Sequence, residues 1–175
     1  MRVATTVLFF LACLTIGAFP GKAQAQEEGT RAPVPHNQVV SANPFLILFE
    51  WFNGEYERKI SPTTTLGVGA SRLSLDDGDE SYTGLNGFLR YYPQGAALSG
   101  FSFGGRLGFH NVSEDDEDGE AFALGVDLGY SWLLGSKRNF YIGLGIGATR
   151  LFGGDIDGGR VVIPSIRLIN LGFAF

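Results

Sequence analysis

Along most of the chain, large apolar side chains recur at every second position. The positions between them hold mainly glycine, serine, threonine and alanine. In AFALGVDLGYSWLL, Phe122, Leu124, Val126, Leu128, Tyr130 and Trp132 share one parity, and Ala123, Gly125, Asp127, Gly129 and Ser131 share the other. FYIGLGIGATRLF sets Phe140, Ile142, Leu144, Ile146 and Ala148 against Tyr141, Gly143, Gly145, Gly147 and Thr149. GFSFGGRLGFH and TLGVGAS repeat the scheme. A period of two is that of a β-strand. A soluble barrel or sandwich would turn the large set inward and would need many Lys and Glu on its wet face. A membrane barrel turns the large set into lipid and keeps small or polar groups inside. The minor face carries only scattered charges such as Arg106 and Asp127, which suits a narrow lumen. Tyr91, Tyr130, Trp132 and Tyr141 lie near predicted strand ends, where interfacial aromatic girdles are expected.

The connections alternate in character. DDGDES, SEDDEDGEA and GGDIDGGR read as long acidic loops, whereas ISPTT, YPQGAA and GSKRN read as short turns. Outer-membrane barrels place long loops outside the cell and short turns in the periplasm. Counting back from Phe175 gives six strands from about Thr64 onward. The stretch 39–60 has room for two more of ~9–11 residues each, with the hairpin expected to turn near Glu50 to Gly54. The resulting fold class is all-β, an eight-stranded antiparallel up-and-down transmembrane β-barrel.

The N-terminus supplies the route to a membrane outside the cytoplasm. Arg2, the apolar run Val7 to Phe19 and the small-x-small site Ala23-Gln24-Ala25 form a secretory signal peptide over residues 1–25. Its apolar core is shorter than the ~18 residues of a membrane-spanning helix. Residues 26–38, with Pro33 and Pro35, read as a flexible periplasmic leader, and 39–175 as the barrel. Cys13 is the only cysteine and leaves with the signal, so no internal disulfide is expected. The formal net charge of −5 becomes more negative as Arg2 and Lys22 depart. An acidic exported chain argues against a nucleic-acid partner.

The chain ends on RLINLGFAF, with Leu171, Phe173 and Phe175 at alternate positions. Such an ending resembles the signal read by the barrel-assembly machinery of outer membranes. Asn43-Pro44, EYER at 55–58, LGVGAS at 66–71, RYYP at 90–93 and the closing PSIRLINLGFAF resemble a family of small bacterial outer-membrane β-barrel proteins of unknown function. That resemblance implies a fold and a location in the cell outer membrane. It brings no catalytic residues.

Candidate chemistry falls into three groups. Glu55, Glu57, Arg90, Arg106 and Asp127 share the interior parity, and buried charges must pair, so a lumen ion cluster is expected. Its plain role is to fill the barrel; a narrow porin-like channel lined by the same ions is the alternative. The acidic loops offer oxygen ligands for weak Ca²⁺ or Mg²⁺ binding at Asp115, Asp116, Asp118, Asp155 and Asp157, where an ion could bridge to lipopolysaccharide phosphates. His110 and Ser113 suggest the Ser–His chemistry of lipid A deacylases, but a spacing of three puts them on opposite faces of a strand. GLGIGA lies within a strand and is no dinucleotide fingerprint. A non-enzymatic barrel without cofactors is therefore expected. Its partners would be outer-membrane lipid, lipopolysaccharide and the assembly machinery, and a monomer is expected because eight strands close without a partner.

Overall fold

Alternation in sequence becomes alternation of faces only where strands pair in steady register, and here they pair around a full circle. The computed structural model describes residues 34–75, 80–114, 117–152 and 162–175. Eight strands follow in chain order: β1 (Gln38–Ala42), β2 (Trp51–Lys59), β3 (Thr64–Leu75), β4 (Glu80–Tyr91), β5 (Gly100–Glu114), β6 (Glu117–Leu134), β7 (Phe140–Phe152) and β8 (Val162–Ala174). Each pairs antiparallel with its neighbour, and β1 with β8 closes the barrel. Closure leaves no sheet edge, the condition for a β-structure in hydrocarbon.

The large apolar set faces outward. Leu66, Val68, Leu85, Leu107, Phe109, Val126 and Ile146 are each more than half exposed. This is the lipid-facing arrangement of a transmembrane barrel and the reverse of a soluble one. Aromatic rings band the outer wall at two levels. Near one end Tyr91 packs on Phe103 and Tyr130 on Trp132, with Phe140 and Phe173 exposed beside them. Near the other, Phe109, Phe122 and Phe152 form a chain of ring contacts across β5, β6 and β7, and the Arg150 guanidinium lies 4.8 Å from the Phe152 ring centre. Tyr141 does not join the girdle expected of it. It points into the lumen and is 1% exposed, because it stands on the interior parity of β7 with Gly143.

Three further expectations are corrected. The first hairpin turns at 43–50, not near Glu50 to Gly54. The Asn43 side-chain oxygen accepts the amide N–H groups of Phe45 and Leu46 at 3.0 and 3.1 Å, and Leu46–Phe49 forms a 3₁₀ turn that ends on Glu50 at φ 57°. Trp51 to Gly54 already belongs to β2. Most of SEDDEDGEA is strand rather than long loop, since Glu114 pairs with Glu117, Ser113 with Asp118 and Asn111 with Glu120. The segment 34–38 is not leader: Val34 is buried, the Asn37 and Gln38 amides donate to the Phe175 carbonyl, and β1 begins at Gln38.

The barrel end that carries the short turns is filled. The β4–β5 connection folds into the opening, burying Tyr92, Ala96, Ala97, Leu98 and Ser99. Leu98 is fully buried and takes φ 74°, a left-handed conformation uncommon outside glycine. The Ala97 amide donates to Pro62 O at 2.9 Å and the Ser131 hydroxyl to Leu98 O at 3.1 Å. Val34, Val39, Leu133 and Tyr141 pack against this inserted loop as an apolar seal. Above the seal the Phe88 ring lies on Gly67, its cross-strand partner, at a position where a Cβ would overlap the ring.

Candidate functional site

A lumen built from small residues leaves room for a few long side chains, and in this barrel those are ionic. Arg90 projects inward from β4 and is fully buried. Its Nη1 donates to Glu57 Oε2 at 2.6 Å, its Nη2 to both Glu55 oxygens at 3.0 and 3.1 Å, and its Nε to Asp127 Oδ2 at 3.2 Å. The guanidinium carbon also sits 3.9 Å from the centre of the Phe88 ring. One cation thus bridges carboxylates from β2 and β6. A rigid planar fork with five N–H donors fits this task; an ammonium would not.

The remaining carboxylate positions are also taken up. Glu57 Oε1 accepts from the Thr65 hydroxyl at 2.5 Å and from the Tyr92 hydroxyl at 2.7 Å. Tyr92 lies just beyond β4. Burial, reinforced by the Glu57 carboxylate, holds its phenol well above the ordinary tyrosine range, so it remains a donor. Arg106 reaches Glu55 Oε1 at 3.6 Å. The structure therefore brings Glu55, Glu57, Arg90, Arg106 and Asp127 into one cluster.

A sixth member was missed by sequence reasoning. Arg167 Nη1 donates to Glu55 Oε2 at 3.2 Å, and its Nη2 to the Leu144 carbonyl at 3.1 Å. Strict alternation back from Phe173 and Leu171 would send Arg167 into lipid. A bulge prevents this: Gly143 pairs with Asn170 and Gly145 with Arg167, so two residues of β8 oppose one of β7. A bulge inverts parity beyond itself. The usable signal was the arginine itself, which is costly on a lipid-facing position. Gly129 and Gly145 make the space. A Cβ on Gly129 would overlap Arg167 Nη2, and one on Gly145 would stand 3.0 Å from both Nε and Nη2. With Arg167 included, three guanidinium groups meet three carboxylates.

Other sequence candidates occupy different places. His110 points inward and is 9% exposed; its Nδ1 is hydrogen-bonded to the Tyr82 hydroxyl, and the two rings stack with centroids 5.1 Å apart. Ser113 pairs with Ser81 and Asp118 in the ladder. At the chain end, Phe173 and Phe175 are half exposed on the outer wall and Leu171 is partly exposed. Of the proposed metal ligands, Asp115, Asp116, Asp155 and Asp157 lie outside the described residues, and Asp118 is placed by its backbone in β6.

No protein-family model matches the chain, and no curated protein matches it. Solved structures do. The crystal structure of the N-terminal β-barrel domain of Pseudomonas aeruginosa OprF is similar at 15% identity and a TM-score of 0.43, covering 80% of this chain and 98% of that one. The backbone structure of the Yersinia pestis outer membrane protein Ail, in a phospholipid bilayer nanodisc, is similar at 15% identity and a TM-score of 0.47, covering 80% and 99%.

Proposed function

We propose that this protein is a structural and interaction barrel of the bacterial outer membrane, with a lumen closed by side chains rather than open as a conduit. The observation that carries this reading is Arg90, fully buried and bonded to three carboxylates across the barrel. Below it the 92–99 loop supports the same reading, because it occupies the space a channel would need. The test joins fractionation to electrophysiology. The protein is expected in the outer-membrane fraction, running at a different gel mobility unboiled than boiled. In planar bilayers neither the native chain nor Arg90→Ala is expected to conduct. Conductance in the native chain that rises in Arg90→Ala would replace this reading with the narrow channel.

A non-enzymatic role is favoured by the His110 environment, where Tyr82 rather than a serine is the hydrogen-bonding partner. Lipid A extracted after overexpression should then be unaltered in mass spectra. The outer-wall Leu171, Phe173 and Phe175 are read as the segment recognised by the assembly machinery; removing Phe175 should lower the outer-membrane yield. The acidic loops extend the reading to weak Ca²⁺ bridging of lipopolysaccharide, and calorimetry without heat on Ca²⁺ titration would remove that part alone.

A further inference from the structure

Charge is divided unevenly along the barrel axis. The segments that build the short-turn end, 34–42, 58–66, 89–103, 131–142 and 171–175, contain no Asp or Glu. Besides the lumenal Arg90 they carry His36, Arg58, Lys59, Lys137 and Arg138. These cations gather around the seam where β8 meets β1. His36 Nε2 is hydrogen-bonded to the Lys137 carbonyl at 2.8 Å, Lys59 Nζ donates to the Val34 carbonyl at 3.3 Å, and the Ala174 amide donates to Asn139 O at 2.8 Å. Arg58 lies on the outward parity of β2, because Glu55 and Glu57 face the lumen, and it is exposed, as is Lys137 in the β6–β7 turn. Among the described residues no carboxylate pairs with either.

Beside these cations a continuous outward row crosses the seam. Phe140 pairs with Phe173, Phe173 with Val40, and Val40 with Tyr56. The first three are each more than two-fifths exposed. The Tyr56 hydroxyl leaves the row and donates to Gln38 Oε1 at 2.5 Å, and Gln38 is the cross-strand partner of Arg58. A tyrosine with an apolar body and a polar tip marks the edge of the hydrocarbon. At the seam itself β1 and β8 pair over only four residues, the fewest of any junction in the barrel. An apolar row bordered by unpaired cations complements a lipid with an anionic headgroup. We propose that an anionic glycerophospholipid of the periplasmic leaflet seats across the β8–β1 seam, its acyl chains on Phe140, Phe173 and Val40 and its phosphate drawn to Arg58 and Lys137, and that it clamps the seam from outside. Three strand spacings of ~4.8 Å separate β7 from β2, a span that two extended basic side chains close on one headgroup. The formal net charge of −5 repels anions, so the attraction is local to this patch. The inference rests on the reading of the chain as an outer-membrane barrel with its short turns in the periplasm.

The experiment uses the full folded barrel in detergent, offered equimolar phosphatidylglycerol and phosphatidylethanolamine, with the retained lipid identified by native mass spectrometry. Phosphatidylglycerol is expected to be retained at least about fivefold over phosphatidylethanolamine, the factor that one basic residue near an anionic lipid supplies. Arg58→Gln combined with Lys137→Gln should bring the ratio to about one. Arg72→Gln combined with Arg150→Gln, at exposed arginines away from this end, should leave it unchanged. In vesicles, replacing part of the phosphatidylcholine with phosphatidylglycerol should raise the urea midpoint of the native chain but not that of the Arg58→Gln, Lys137→Gln variant. Equal retention of the two lipids would overturn the proposal: a dimer in the same spectra would give the patch to a second copy, and a monomer would leave the cations to water. A preference that survives in the Arg58→Gln, Lys137→Gln variant would overturn it as well, and a midpoint indifferent to phosphatidylglycerol would overturn the clamp. Absence of the protein from the outer-membrane fraction of cells would instead remove the reading beneath it, without changing the retention ratio.

Discussion

Arg90 is a cation without water, and its stability depends on three partners at once. Removing it takes the bridging cation from Glu57 and Asp127 and leaves Glu55 with Arg106 and Arg167, and breaking a buried pair from one side costs about 3–5 kcal/mol. Arg90→Ala is therefore expected to lower the unfolding free energy of the barrel, read by urea titration in lipid vesicles, by that order, while Arg167→Met should cost less because Glu55 keeps Arg90 and Arg106. Equal losses in the two variants would contradict this ranking. Gly129 acts at the same scale. A methyl there meets Arg167 Nη2 and stands 2.8 Å from the Leu144 carbonyl, so Gly129→Ala should destabilise by about 1–3 kcal/mol, the usual cost of overpacking. That loss should shrink in an Arg167→Met background, which a double-mutant cycle would read directly. The cluster was legible in the sequence as far as parity reached: Glu55, Glu57, Arg90, Arg106 and Asp127 alternate with lipid-facing residues in unbroken strands. Parity says nothing about which oxygen meets which nitrogen.

At the scale of the element, β8 shows where counting by twos fails and why. Leu171 and Phe173 obey the alternation, and Arg167 does not, because Leu168 and Ile169 together oppose Leu144. Deleting Leu168 should restore one-to-one pairing while leaving Arg167 opposite Gly145 and facing the lumen. Without the bulge the native sequence would set Arg167 in lipid, where an arginine near the bilayer midplane costs about 2–4 kcal/mol; with Leu168 gone that cost does not arise. The heat-modifiable, folded fraction on refolding into vesicles is therefore expected to stay near the native yield, and a sharp fall would show that the bulge does more than set the face of Arg167. The first hairpin failed for a different reason. FLILFEWF is apolar throughout, so hydropathy offers no break in it, and the turn is written instead in Asn43-Pro44. Proline has no amide to donate, and asparagine bends the chain by accepting from the amides beyond it. The acidic hairpin departs from expectation because charge does not by itself mark a loop: Glu114 and Glu117 are ladder partners, and strands that outrun the bilayer can carry charge in water.

For the whole molecule, the filling of the short-turn end constrains any transport. Among the described residues, two obstructions lie in series along the axis: the ion cluster around Arg90, and beneath it the apolar seal of Leu98, Val34, Val39, Leu133 and Tyr141. Obstructions in series each suffice to block flow. Removing the cluster alone leaves a dry apolar constriction that excludes ions. Removing the seal alone leaves Arg90 spanning the lumen between β2 and β6. Leu98→Ala by itself should therefore stay silent in planar bilayers, even as it destabilises the barrel by about 2–5 kcal/mol through the cavity it leaves. Only Arg90→Ala combined with Leu98→Ala opens both levels, and that double variant is expected to show small, steady conductance where each single variant shows none. A conducting Leu98→Ala single variant would mean that the ion cluster is permeable as it stands, and that the loop folded into the barrel mouth is a gate rather than one of two seals.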